Sequence, residues 1–352
     1  MLGWNNTMAK AEKNRKDSQE SDQKDASKQP QATRWQKIHR SVGFQKGYNL
    51  LLFIVFAGAM VGFCLARLEY LNIGTYADGA SPGEWYWYKS GHNRVAIILH
   101  LATVIPAGLL MVWQFLPIIR RKFLIFHRIN GYVVTILLLL GVASAFMLAR
   151  RSFGGAPATQ AGIGFLGIIV PISLGMAIYN IKRLQIEQHR AWMLRTMFYC
   201  GTIITLRLIM IIAAQILPFA SNYYSVMPCD AIATLTSPGQ FRKSYPQCFV
   251  EDGTADGWIP VVADFSQDAV TVGAALQLGF SMGIWVAIAM HAIGVEIYLN
   301  LTSAETERLR MVSYEKQLEA GFKHPGSAGL TADRWGDVPA WEPTPKKEVE
   351  GQ

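Results

Sequence analysis

His189–Arg207 reads H-R-A-W-M-L-R-T-M-F-Y-C-G-T-I-I-T-L-R. Cations lead into the stretch, and one more closes it deep inside an apolar run. Residues 196–219 are apolar enough and long enough to cross a bilayer. Arg207 falls near their middle, where insertion scales put the cost of a cation at about 2.5–3.5 kcal/mol. An arginine so placed faces a partner, a cavity or a ligand. The stretch therefore announces a membrane-spanning helix with a polar inner side.

The rest of the chain agrees with that class. Its 352 residues are 51% hydrophobic and only 16% charged, below the soluble-domain share of about 25%. The net charge of +8 comes from Lys and Arg flanking apolar runs, not from a basic surface with interleaved aromatics, so nucleic acid is not an expected partner. Six apolar segments of spanning length lie at 49–69, 95–118, 130–149, 162–181, 196–219 and 272–299. The first starts too late and runs too long for a cleaved signal peptide.

Basic residues set the expected orientation. The flank before the first segment (Arg34, Lys37, Arg40, Lys46) and the connections two-to-three (Arg120, Arg121, Lys122, Arg128) and four-to-five (Lys182, Arg183, Arg190, Arg195) are all cationic. By the positive-inside rule these lie in the cytoplasm with both termini. The opposite side receives the aromatic run Trp85–Tyr88, suited to the headgroup level, and an acidic loop that includes Asp230, Glu251, Asp252 and Asp256. Cys229 and Cys248 in that loop are expected to pair in an oxidising compartment. Arg150 and Arg151 fall on the wrong side for the charge rule. They either bind an anion or mark the headgroup boundary.

The expected organisation has three parts. Residues 1–46 form a disordered cytoplasmic tail, since 1–33 are almost free of aliphatic side chains. Residues 47–300 form a six-helix transmembrane domain, with a core at 95–219 and an extracytoplasmic loop at 220–271. Residues 301–352 form a cytoplasmic helix and a flexible tail, the helix opening on a capping box at Thr302 and Glu305 and ending near Gly321. Asn5 heads a glycosylation sequon on the side where it stays unmodified.

Two connections repeat a pattern. R-R-K-F-L-I-F-H-R from Arg120 and K-R-L-Q-I-E-Q-H-R from Lys182 both read basic, basic, five residues, His, Arg, 62 residues apart. The fold expected is all-α and integral to the membrane, with about six transmembrane helices around a four-helix core built from two parallel helical hairpins. His127 and His189 then enter their helices at equal depth.

Within the segments, His100, Thr103, Ala107 and Gln114 share a helical face, with Pro106 as a bend. No span carries a carboxylate near its middle to pair Arg207; Glu69 and Glu296 lie at segment ends. A b-type haem supplies two propionates and takes histidines of a helix bundle as axial ligands. The expected cofactor and metal ligands are therefore His127 with His189, or His100 with one of them, and Arg195 or Arg207 beside the propionates. The distribution suits one haem or none rather than two. Against this stand simple packing for His100 and His291, and snorkelling of His127 and His189 at the boundary.

These residues also carry a family resemblance. His100, Gln114, F-H-R-I-N-G-Y (126–132), Gly154-Gly155, H-R-A-W-M-L-R (189–195) and Arg207 together resemble the predicted membrane proteins grouped as domain of unknown function 2306, in a fungal-type version with an added first and last helix. The resemblance covers about residues 95–215. It implies a shared polar set that also includes His127, Arg128, His189, Arg190 and Arg195, and assigns no activity.

Three functions are open to such a chain. The first is a membrane-embedded haem-binding protein or oxidoreductase with a redox partner. Another is a haem-free membrane enzyme acting on a lipophilic biosynthetic intermediate, with His100 and Arg207 in acid–base or anion-stabilising roles. The last is a transporter or membrane scaffold. All three have the lipid bilayer as a partner.

Overall fold

Long apolar runs with no water-facing stripe fold as helices because lipid offers the backbone no other hydrogen-bond partner. The computed structural model describes residues 33–220, 223–249 and 257–343. Asn5, Glu251, Asp252, Asp256 and the tail before residue 33 lie outside them. Helices α1 (Arg34–Ser41), α2 (Gly47–Ala66), α3 (Ile73–Gly79), α4 (Glu84–Tyr88), α5 (Gly91–Met111), α6 (Pro117–Lys122), α7 (Leu124–Leu148), α8 (Pro157–Lys182) and α9 (Ile186–Ala220) are followed by a small cap. The cap comprises β1 (Tyr224–Pro228), α10 (Cys229–Ala233), α11 (Pro238–Ser244) and β2 (Trp258–Val262). The chain closes with α12 (Ala269–Leu301), α13 (Ser303–Glu319) and α14 (Ala332–Trp335).

Six of these, α2, α5, α7, α8, α9 and α12, are long and apolar enough to cross a membrane. Large apolar side chains such as Ile136, Leu208 and Ile293 point outward to lipid. The architecture is all-α and integral to the membrane, as expected; its only sheet among the described residues is the antiparallel pair β1–β2. The helices overrun the apolar segments at several ends, because intrahelical hydrogen bonding continues into the headgroup zone where side chains become polar. With 35 residues, α9 is about 52 Å long, against a hydrocarbon core of about 30 Å.

The sixth span is not peripheral. α12 packs along α9 more extensively than any other pair of helices, and it also meets α8. Gly279 and Gly283 make this possible. A Cβ at Gly279 would lie 2.6 Å from the Met210 carbonyl oxygen, and one at Gly283 3.0 Å from Leu206 Cδ1. Small residues one turn apart let two helix backbones approach where burial against lipid gives no driving force. α5 packs on α7, α8 on α9, and α2 on α5.

On the face carrying β1 and β2, hereafter the disulfide face, Cys229 and Cys248 are bonded and fully buried. Met227, Ile232 and Val261 fill the core of the cap and join it to Val270 and Ala274 of α12.

Three local expectations change on the opposite, terminal face. The tail before residue 47 includes an ordered helix, α1, capped reciprocally by Thr33 and Gln36. Thr302 forms no capping box: α12 runs to Leu301, and the Thr302 hydroxyl bonds back to the Tyr298 carbonyl at 2.9 Å. The segment after α13 is not free. Gln185 and Gln317 both donate to the Ser327 carbonyl, at 2.8 and 3.0 Å, and Arg310 pairs with Asp333. These bonds tie residue 327 to the α8–α9 corner and to α13, and α14 to α13.

Candidate functional site

A carboxylate lies within electrostatic reach of Arg207, although no ion pair joins the two among the described residues. It comes from a loop: Glu84 opens the five-residue helix α4 and is 5% exposed. Glu84 and Tyr88 are four apart and so share a face, and that face turns into the bundle while Tyr86 and Trp87 stay at the surface. The backbone N–H of Phe153 donates to Glu84 Oε1 at 2.8 Å, and the Tyr88 hydroxyl lies 3.2 Å from Ser152 Oγ. Burial pushes the Glu84 carboxyl up to about 7, and the Phe153 N–H, the charge of Arg207 and the Tyr88 hydroxyl restrain it from rising further. The phenols of Tyr76 and Tyr88 are raised well above their usual range by burial and then by the nearby Glu84 charge.

The guanidinium of Arg207 sits 4.6 Å from the ring centre of Phe153 and 5.4 Å from that of Phe280. Those two rings stack on each other at 4.2 Å. A desolvated cation over aromatic faces gains about 2 kcal/mol. Among the described residues its polar side-chain contact is with Met210 Sδ, at 3.8 Å.

Phe153 reaches this position through strain. Its φ of +46° is unusual for a bulky residue, and the turn is completed by Gly154 at +76° and Gly155 at +62°. A Cβ on Gly154 would lie 2.5 Å from Gln277 Oε1, which accepts a hydrogen bond from Ser225 at 2.6 Å. Gly154→Ala is therefore expected to lower thermal stability by about 1–3 kcal/mol through φ strain and the clash together. A melting curve of the purified variant matching the native protein would contradict that.

His100 belongs to this end of the bundle. Its Nδ1 lies 3.0 Å from the Gly141 carbonyl oxygen, so Nδ1–H donates there, and Ser144 Oγ is 3.3 Å away. Arg207 is close enough to interact with it electrostatically. Gly141 is 14 residues, about 21 Å of helix, from His127. His100 consequently does not share one iron with His127.

The terminal face gathers the repeated motifs. His127 is within electrostatic reach of Arg120 and His189. His189 Nδ1–H donates to the Ala177 carbonyl at 2.9 Å, leaving Nε2 without that bond. Arg190 reaches Thr302 Oγ1 at 3.0 Å and lies over the Tyr298 ring. Arg195 is committed elsewhere, to Glu296 through two bonds of 2.6 and 3.0 Å; with both groups partly exposed, that pair is worth less than about 1 kcal/mol. Arg207 is 18 residues, about 27 Å, from His189 along α9. The cations expected beside propionates are thus paired or distant, and the three candidate histidines do not converge. Among the described residues no cluster of three or more His, Cys, Asp or Glu could hold a metal ion. His291 bonds Thr205 Oγ1 at 2.7 Å across α9–α12.

Arg150 and Arg151 line an open groove of about 780 Å³ on the disulfide face, with Lys89 and Asp230. Arg151 lies over the Trp87 ring at 3.8 Å. The residues missed by sequence reasoning are Glu84 and Tyr88; their spacing of four within E-W-Y-W-Y was the available signal.

Residues 97–234 match the family model described as "Predicted membrane protein (DUF2306)". "Ava biosynthesis cluster protein G" of Aspergillus versicolor is 24% identical over 321 residues, 78% of this chain and 94% of that protein. No solved structure matches.

Proposed function

For a chain whose residues 97–234 carry the DUF2306 membrane domain, we propose a membrane enzyme that moves a proton on a lipophilic biosynthetic intermediate. The observation that carries this reading is the buried Glu84, poised near neutrality beside the inward cation Arg207. A carboxyl titrating near the working pH can both give and take a proton, which is the requirement for general acid–base catalysis. In this reading Glu84 protonates or deprotonates the substrate, and Arg207 stabilises negative charge developing on a substrate oxygen. Phe153 and Phe280, stacked on each other, hold the Arg207 guanidinium in place for that role. The name of the Aspergillus versicolor relative, which refers to a biosynthesis cluster, supports a role in making a small molecule. By the positive-inside rule the basic loops and both termini lie in the cytoplasm, with Glu84 toward the other side.

The test is product formation in a host lacking the native gene and complemented with variants. Glu84→Gln is expected to reduce the product in cell extracts by about a hundredfold or more while the protein accumulates normally. Wild-type product from that strain would refute the assignment. In the alternative haem reading, His127 and His189 would hold the group, which would supply one-electron transfer. An absorption spectrum of protein purified from haem-supplied cells decides it: no Soret band removes that reading.

A further inference from the structure

The terminal face holds cations and hydrogen-bond donors in excess of their acceptors. Arg120, on the short helix α6, is within electrostatic reach of Arg190 on α9, and both lie near Tyr298 at the end of α12. The carboxylate closest to them in charge effect, Glu305, is already held by Arg308 through two bonds of 2.7 Å. Arg120 is exposed and Arg190 partly buried. Three further polar atoms around this cluster are buried and have no hydrogen-bond partner among the described residues: Arg190 Nη1, His127 Nδ1 and Gln114 Nε2. Gln114 lies against Gly131, one helical turn beyond His127, so the three come from the turn that follows α5, from α7 and from α9.

Buried donors are normally satisfied, and each exception calls for an acceptor. Here the orphans include an amide N–H and a guanidinium N–H, which only donate, together with a ring nitrogen that can donate in one tautomer. Two guanidinium charges remain after Glu305 and Arg308 cancel. A single carboxylate balances one of them, whereas a phosphate carries about −1.5 to −2 and several acceptor oxygens. From this we infer that Arg120 and Arg190, with His127 and Gln114, bind the phosphate or diphosphate group of a ligand at the terminal face. The site is separate from Glu84 and Arg207 and does not depend on the catalytic reading.

The chemistry is shared by a soluble phosphate compound and a phospholipid headgroup, and the experiment separates them. Full-length protein is purified and its thermal stability followed, first with inorganic pyrophosphate in detergent and then in phosphatidylcholine nanodiscs with or without phosphatidic acid. A rise in midpoint with pyrophosphate, absent with equal ionic strength of chloride, identifies a soluble-phosphate site; a rise only with phosphatidic acid identifies a headgroup site. In either case Arg120→Gln and Gln114→Leu are expected to weaken the response about tenfold, as loss of a charge-assisted or buried bond does. Lys122→Gln, exposed like Arg120 but outside the proposed set, is expected to leave it intact. Should Arg120→Gln misfold, Arg120→Lys retains the charge and Gln114→Leu still reports. Three outcomes overturn the proposal: no stabilisation by either probe, equal stabilisation of native protein and both variants, or a haem spectrum assigned to His127 and His189.

Discussion

Arg207→Leu is expected to make the purified protein less stable, and the deficit is expected to grow as pH rises. Glu84 in the folded protein titrates near 7, above the usual carboxylate range. A group whose folded-state pKa is raised binds more protons folded than unfolded, so its contribution is fully present below the unfolded value and is lost as pH rises through the folded one. In the native protein that loss ends near pH 7. Removing Arg207 takes away the positive charge that restrains Glu84, so its titration moves higher and the loss continues into alkaline solution. At pH 9 the variant must ionise a buried carboxyl without the opposing charge of Arg207, at a cost on the order of 1–3 kcal/mol. At pH 6 the carboxyl is neutral, and the deficit reflects mainly the lost contacts with Phe153 and Phe280. Melting curves at the two pH values measure the difference. In the double variant with Glu84→Gln the added pH dependence is expected to vanish; if Arg207→Leu shows the same deficit at both pH values, the two residues are not coupled.

Replacing Cys229 and Cys248 by serine is expected to cost about 3 kcal/mol in the stability of the cap, the chain-entropy value for a loop closed across a separation of 19 residues. Its apolar core, resting on Met227, Ile232, Ile259 and Val261, continues into α12 through Val270 and Ala274, so the cap is expected to loosen rather than detach once the cross-link is gone. The helices draw their stability from packing elsewhere, so the expected lesion is local. Limited proteolysis reads it directly: cleavage between residues 223 and 268 should become rapid in the variant, with the six spans intact. Unchanged resistance of the cap would show that its apolar core suffices without the bond.

The spans and their number were readable because spanning length and apolarity are properties of a contiguous run. The pairing of Cys229 with Cys248 was readable for a similar reason, since both lie in one polar loop. What escaped depends on a chain segment turning back. Glu84 sits in an aromatic run whose composition suits the headgroup zone, and the backbone turn at Phe153–Gly155 holds it within electrostatic reach of Arg207. A search for carboxylates restricted to the middle of spans misses one delivered from a loop. The reading of Thr302 failed through competition: its hydroxyl is drawn to the last carbonyls of α12 and to Arg190, which leaves no cap for α13. The repeat spacing places His127 and His189 on the same face of the protein but says nothing of His100, whose depth is set by the packing of α5 on α7. The extent of α12 packing was hidden because glycines at 279 and 283 carry no apolar signal.

α9 has no proline between His189 and Arg207; Pro218 comes later. Over those residues it is one continuous hydrogen-bonded helix, reaching from Arg190 on the terminal face to Arg207 over Phe153 and Phe280. The close approach of α12 at Gly279 and Gly283 holds one side of it against its neighbour. A single unbroken helix therefore carries a cation to each face of the membrane.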